Sequence, residues 1–103
     1  MLLLPETEHE IVRHNKVPDE NVRWVGSKNG KYAMSWEEFA AIAVSFEYEN
    51  RSGRVEVAED LVVVGDDWWL ERREYNGDEW WEFKSLPTTS RMRPFTNIYD
   101  YLA

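Results

Sequence analysis

Glu6, Glu10 and His14 are spaced four residues apart, so on a helix two carboxylates and an imidazole would share one face and offer three ligands to a cation. No fourth ligand accompanies them, and without one the stripe reads as an ordinary acidic face. His9, the other histidine, lies five residues from His14 and off that face. Adjacent carboxylates recur at Glu59-Asp60, Asp66-Asp67 and Asp78-Glu79, the residue type that glycosidases use in pairs as acid and base. Each pair lies beside glycine or further charge in turn-like sequence, where acids are common for turn reasons alone. The chain has no cysteine, which removes thiol nucleophiles, thiolate metal sites and disulfides together. It also lacks a nucleophile elbow, a phosphate-cradling glycine loop and a histidine next to a candidate nucleophile. The sequence therefore predicts a protein with no catalytic residues, no metal and no cofactor.

Binding chemistry is the stronger signal. The 103 residues carry a net charge of −8, and most of the excess lies in residues 54–87, where ten acids face four bases. A surface of this sign repels phosphates, so direct nucleic-acid binding is not expected, and a basic protein surface is the natural partner. The bland alternative is that acidic charge only keeps an aromatic-rich chain in solution. Met1-Leu2-Leu3-Leu4, followed at once by Pro5 and an acidic run, is too short for a signal peptide or a membrane span, so a soluble protein without membrane contact is expected.

The element that would position the binding residues is residues 68–84, which hold four of the six tryptophans. Asn76-Gly77 between two alternating aromatic runs is a type I′ hairpin signal, because both central residues must tolerate positive φ. The turn sets Tyr75 opposite Asp78, Arg73 opposite Trp80, Arg72 opposite Trp81 and Leu70 opposite Phe83. One face then collects Trp68, Leu70, Trp81 and Phe83 for the core. The other presents Trp69, Glu71, Arg73, Tyr75, Asp78, Trp80, Glu82 and Lys84. Glu71 meets Glu82 in this register, a conflict that the diagonal cations Arg73 and Lys84 relieve. The candidate binding residues are Trp69, Glu71, Tyr75, Asp78, Trp80 and Glu82, with the turn acids Asp66, Asp67 and Glu79 steering a basic partner. Burial of Trp69 and Trp80 under another strand or the C-terminal tail is the competing reading.

The rest of the chain predicts a single α+β domain: a small twisted antiparallel sheet of hairpins and meander, packed by one main helix. Leu61-Val62-Val63-Val64 reads as a central strand buried on both faces. Val22–Val25 and Lys31–Met34 read as a smaller hairpin, and Ser35-Trp36-Glu37-Glu38 as a capping box that starts a helix at Trp36. Trp36, Phe39, Ala40 and Ala43 give that helix its apolar stripe. Residues 5–14 suit a short helix or an extended segment, Val17–Asn21 a turn, and residues 46–49 and 55–57 another hairpin. Phe95, Ile98, Tyr99 and Leu102 are expected to dock on the core.

The Trp-Trp-Leu-Glu…Asn-Gly-Asp-Glu-Trp-Trp-Glu-Phe-Lys hairpin, with Gly30-Lys31-Tyr32-Ala33 and Ser35-Trp36-Glu37-Glu38-Phe39, resembles the small acidic orphan proteins of bacteriophages and prophages. That resemblance covers about half of the chain. It implies a protein acting in the cytoplasm of a bacterial host, of the kind that includes anti-CRISPR and anti-restriction inhibitors. Such inhibitors occlude a basic nucleic-acid channel stoichiometrically, and no catalytic residue carries over. The alternatives are a virion accessory structural protein, which would self-associate, and a small acid–base enzyme, which would need a concave site of convergent acids.

Overall fold

The computed structural model describes residues 1–50, 53–89 and 91–99. Its frame is an α+β fold in which five antiparallel strands, β1 (Trp24–Ser27), β2 (Ala33–Met34), β3 (Leu61–Val64), β4 (Trp68–Tyr75) and β5 (Asp78–Ser85), are ordered β2-β1-β3-β4-β5. The β4–β5 hairpin has the register that alternation and Asn76-Gly77 require, from Trp68 opposite Ser85 to Tyr75 opposite Asp78. Asn76 and Gly77 both have positive φ, at 51° and 85°, as a type I′ turn demands. β3 is the central strand, between β1 and β4, and its apolar run is buried or half-buried throughout.

Two helices cover one face of this sheet, where the sequence predicts one main helix. α3 (Trp36–Ala43) begins as its capping box dictates: the Glu38 amide donates to Ser35 Oγ, and the Ser35 amide donates to the Glu38 carboxylate. It buries Trp36, Phe39 and Ala43. α1 (Leu3–Arg13) is the longer helix and starts two residues before Pro5, with Leu3, Thr7 and Ile11 buried at helical spacing. Their side chains meet Val25, Val63, Trp68, Leu70 and Trp81 in one core cluster.

Three local expectations are corrected. Pro18–Asn21 closes into a single helical turn, α2, with Pro18 at its start and Asn21 Oδ1 accepting from the Val17 amide. Residues 46–57 form no hairpin among the described residues; the segment makes only an isolated bridge, Leu2 to Glu47, and buries Tyr48 and Val57. Its amides at Glu56 and Val57 bond to the Glu79 carboxylate instead of a strand, so side-chain bonds replace a ladder. Phe95, Ile98 and Tyr99 stand exposed and do not dock on the core, and Leu102 lies outside the described residues.

Phe39 is 5% exposed and central to the cluster. Phe39→Ala should cost about 3–5 kcal/mol by cavity formation, measured by denaturant unfolding. A change within about half a kcal/mol would show that α3 does not pack as described.

Candidate functional site

The outward face of the sheet is where the sequence places the binding residues. Register fixes its membership: Trp24, Val64, Trp69 and Lys84 form one row, Gly26, Val62, Glu71 and Glu82 the next, then Arg73 with Trp80 and Tyr75 with Asp78. The helices bury their apolar side chains on the opposite face, so no helix among the described residues lies over this one. Tyr75 is 69% and Trp80 42% exposed, which places both in solvent contact. Trp69 is half-buried and donates its indole N–H to Glu71 Oε1 at 3.0 Å.

The acids of this face are largely neutralised within it. Glu71 is only 12% exposed at its side chain and pairs with Lys84 at 3.1 Å and Lys28 at 3.7 Å. Glu82 pairs with Arg73 at 3.2 Å and Lys84 at 3.7 Å. The Glu71–Glu82 opposition is thus relieved by the two diagonal cations. Burial works to raise the Glu71 pKa, but the bonds from Trp69 and Lys84 and the charges of Lys28 and Lys84 outweigh it and hold the carboxyl below its ordinary value. Asp66 receives a two-point contact from Arg23, at 2.6 and 2.8 Å, and this bond keeps its pKa low. Asp66 and Asp67 lie in the β3–β4 turn, at the far end of an eight-residue strand from Asp78. Six of the nine candidates, Trp69, Glu71, Tyr75, Asp78, Trp80 and Glu82, therefore share one face, and the two turn acids do not join them.

Glu79 is not a surface acid. The same alternation that places Trp80 outward turns Glu79 and Arg72 inward, and both are buried. Arg72 lies over the Trp81 ring, 4.7 Å from its centroid, and 5.6 Å from that of Tyr48. Its guanidinium faces Glu6 and Glu79, each at 3.5 Å. The short bonds go elsewhere: Tyr48 donates to Glu6 at 2.7 Å, and Glu79 accepts from the Glu56 and Val57 amides at 2.8 and 3.1 Å. The Glu79 amide donates to Asn50 Oδ1 at 2.8 Å, and Trp81 Nε1 donates to Thr7 at 2.9 Å. Sequence reasoning missed this hub, although the predicted register already carried Arg72 and Glu79 to the apolar face.

Of the possible metal stripe on α1, Glu10 and His14 pair at 3.2 Å, but Glu6 is engaged with Tyr48 and Arg72, and the His14 ring stacks on Phe83 at 3.9 Å. Among the described residues no group of three His, Asp or Glu side chains is placed to hold a metal ion. Asp78 and Glu79 point to opposite sides of β5, so that adjacent pair does not converge on one site.

No protein-family model, curated protein or solved structure matches this chain.

Two outcomes test the hub. Glu79→Ala leaves two loop amides without their acceptor and removes one of the two carboxylates facing the buried Arg72 cation, so it should cost about 3–5 kcal/mol, whereas Glu82→Ala at the surface should cost under about 1 kcal/mol. Burial pushes the Tyr48 phenol up to about 12 from 10.0, against the bond from Arg72 and with the help of Glu6. A raised folded pKa stabilises fully below the unfolded value and loses that contribution as pH rises through the folded one, so unfolding free energy should fall between about pH 10 and 12. Tyr48→Phe should remove that fall in an alkaline denaturation series.

Proposed function

We propose that this chain is a small acidic, non-enzymatic binding protein of the phage inhibitor type. In this reading it acts in the cytoplasm of a bacterial host and occludes a basic, nucleic-acid-handling surface of a defence protein. The observation that supports it is the sheet face that no helix among the described residues covers, where Tyr75 and Trp80 stand in solvent among paired charges. Large rigid aromatics supply contact area at low entropic cost, and both accept Arg or Lys over their rings. Internal pairing of Glu71 and Glu82 leaves the steering to the net charge of −8 and to the exposed acids Glu74, Glu59 and Asp60. Long-range attraction of this kind is screened within about 8 Å at physiological salt. No helix among the described residues is long and apolar enough to cross a membrane.

The test is a titration of the purified chain into a panel of purified RNA-guided and restriction nucleases at low and high salt. Inhibition should saturate at a fixed stoichiometry and weaken as salt rises. Tyr75→Ala with Trp80→Ala should weaken it by roughly a hundredfold, about 2–3 kcal/mol, with the melting temperature nearly unchanged. Reversing Glu71 and Glu82 is a poorer probe, because the half-buried Glu71 is held by two lysines and its reversal would destabilise the fold. Absence of binding across the panel at low salt, or binding unmoved by the aromatic pair of substitutions, would sink the proposal.

A further inference from the structure

β5 is an eight-residue strand at the margin of the sheet; the opposite edge, β2, has two residues. Which of its backbone groups face outward follows from the turn. In a two-residue hairpin the flanking residues, Tyr75 and Asp78, exchange both backbone bonds, and bonded and non-bonded pairs alternate from there. Glu79, Trp81, Phe83 and Ser85 therefore direct N–H and C=O away from β4. The Glu79 amide shows this, since it reaches Asn50 on the loop beyond the edge. That loop also closes on the turn: a Cβ on Gly77 would come within 2.6 Å of the Gly53 nitrogen. The stretch from Trp81 to Ser85 remains, with no backbone partner on its outer side among the described residues. Beside it runs a groove between α1 and β5, with Leu2, Pro5, Trp80 and Trp81 as its apolar walls and Glu6, Glu10 and Arg13 among its lining.

We infer that this edge pairs with the same edge of a second copy, forming a two-fold dimer whose sheet runs continuously through both chains. Keeping core face with core face allows only registers in which odd residues of β5 oppose odd ones, and the centres that bring the open stretch together run from Trp81 to Lys84. Centring on Trp81 requires the Glu79 amide, which Asn50 already holds. Centring on Glu82 sets that carboxylate against its own copy, and centring on Lys84 does the same to its ammonium. Centring on Phe83 uses only the open groups and sets Glu82 opposite the partner's Lys84, twice by symmetry. Charge and backbone availability select the same register. α1 runs alongside β5, from Leu2 near Trp80 to His14 at Phe83, so a two-fold at Phe83 brings the C-terminal ends of the two α1 helices toward each other.

This contact uses the strand edge and not the open sheet face, and salt separates the two. Each copy carries −8, so like-charge repulsion opposes association and dimerisation should strengthen as salt rises, the reverse of binding to a basic partner. Light scattering and sedimentation equilibrium of the full chain, from low micromolar concentration upward, should show a dimer at moderate salt. Ser85→Pro removes one outward N–H from each copy without touching a bond within the hairpin and should give a folded monomer. Lys84→Glu should weaken the dimer about tenfold or more, and Glu82→Lys with Lys84→Glu should restore it. Far-ultraviolet dichroism checks that each variant is folded. A monomer at every concentration and salt overturns the inference. So does a dimer unmoved by Ser85→Pro and the charge swap, or one lost only when the chain is truncated after Leu86, which would place the contact on the C-terminal segment.

Discussion

A cation buried between two aromatic rings constrains more of this molecule than any apolar contact does. Moving the Arg72 charge out of water costs several kcal/mol, and its own contacts to Glu6, Glu79 and Tyr48 are long, at 3.4–3.5 Å. The structure offsets that cost by bringing groups from three separate segments around it: Glu6 from α1, Tyr48 from the 46–57 loop, Glu79 and Trp81 from β5. Each of these is held by a shorter bond to something else, so Arg72 sits in a cage whose walls are fixed independently of it. An apolar replacement of the whole cluster would be close to neutral in stability. What the charge adds is placement: an irregular loop without a ladder has one position in which Glu56 and Val57 amides reach Glu79 while Tyr48 covers Arg72.

The parts of the fold legible from sequence are those decided by local chemistry. The hairpin register follows from Asn76-Gly77 and the alternation around it, and the start of α3 from Ser35 and Glu38, because a turn type and a capping box are each settled within a few residues. The central strand followed from four consecutive apolar residues between turns. Residues 46–57 were illegible for the opposite reason. Phe46-Glu47-Tyr48-Glu49 alternates like a strand, but Phe46 and Tyr48 bond to the Leu3 amide and the Met1 carbonyl, while Glu56 and Val57 bond to the Glu79 side chain, and no local pattern announces these partners. α1 was obscured by β-branched Ile11 and Val12, whose lower helix propensity is overridden once Ile11 is fully buried.

The candidate site was half legible, and the missing half was an error of interpretation. Alternation correctly separated Trp80 and Tyr75 from Trp68, Leu70 and Trp81. Applied without exception it also assigns Arg72 and Glu79 to the inside, and only the habit of placing charge in solvent kept Glu79 on the surface. Burial, not charge type, follows parity in a strand, and a charged residue of inward parity implies a buried partner. Here Arg72 and Glu79 lie on adjacent strands, close enough to be that partner for each other.

The two faces of the sheet solve the problem of charge in different ways, and the difference bears on binding. Inside, one cation answers two carboxylates in a dry site, with the deficit met by backbone amides and a phenol. Outside, Glu71, Glu82, Arg73, Lys84 and Lys28 form a chain of pairs at 3.1–3.7 Å that leaves little net field over the middle of the hairpin. That face therefore presents aromatic area in a neutral setting, and the exposed acids Glu59 and Glu74 lie outside the chain of pairs, toward the turn end of the hairpin. Under the binding role proposed for this chain, steering and contact would be carried by different residues, with the acids outside the paired chain setting the approach of a basic surface.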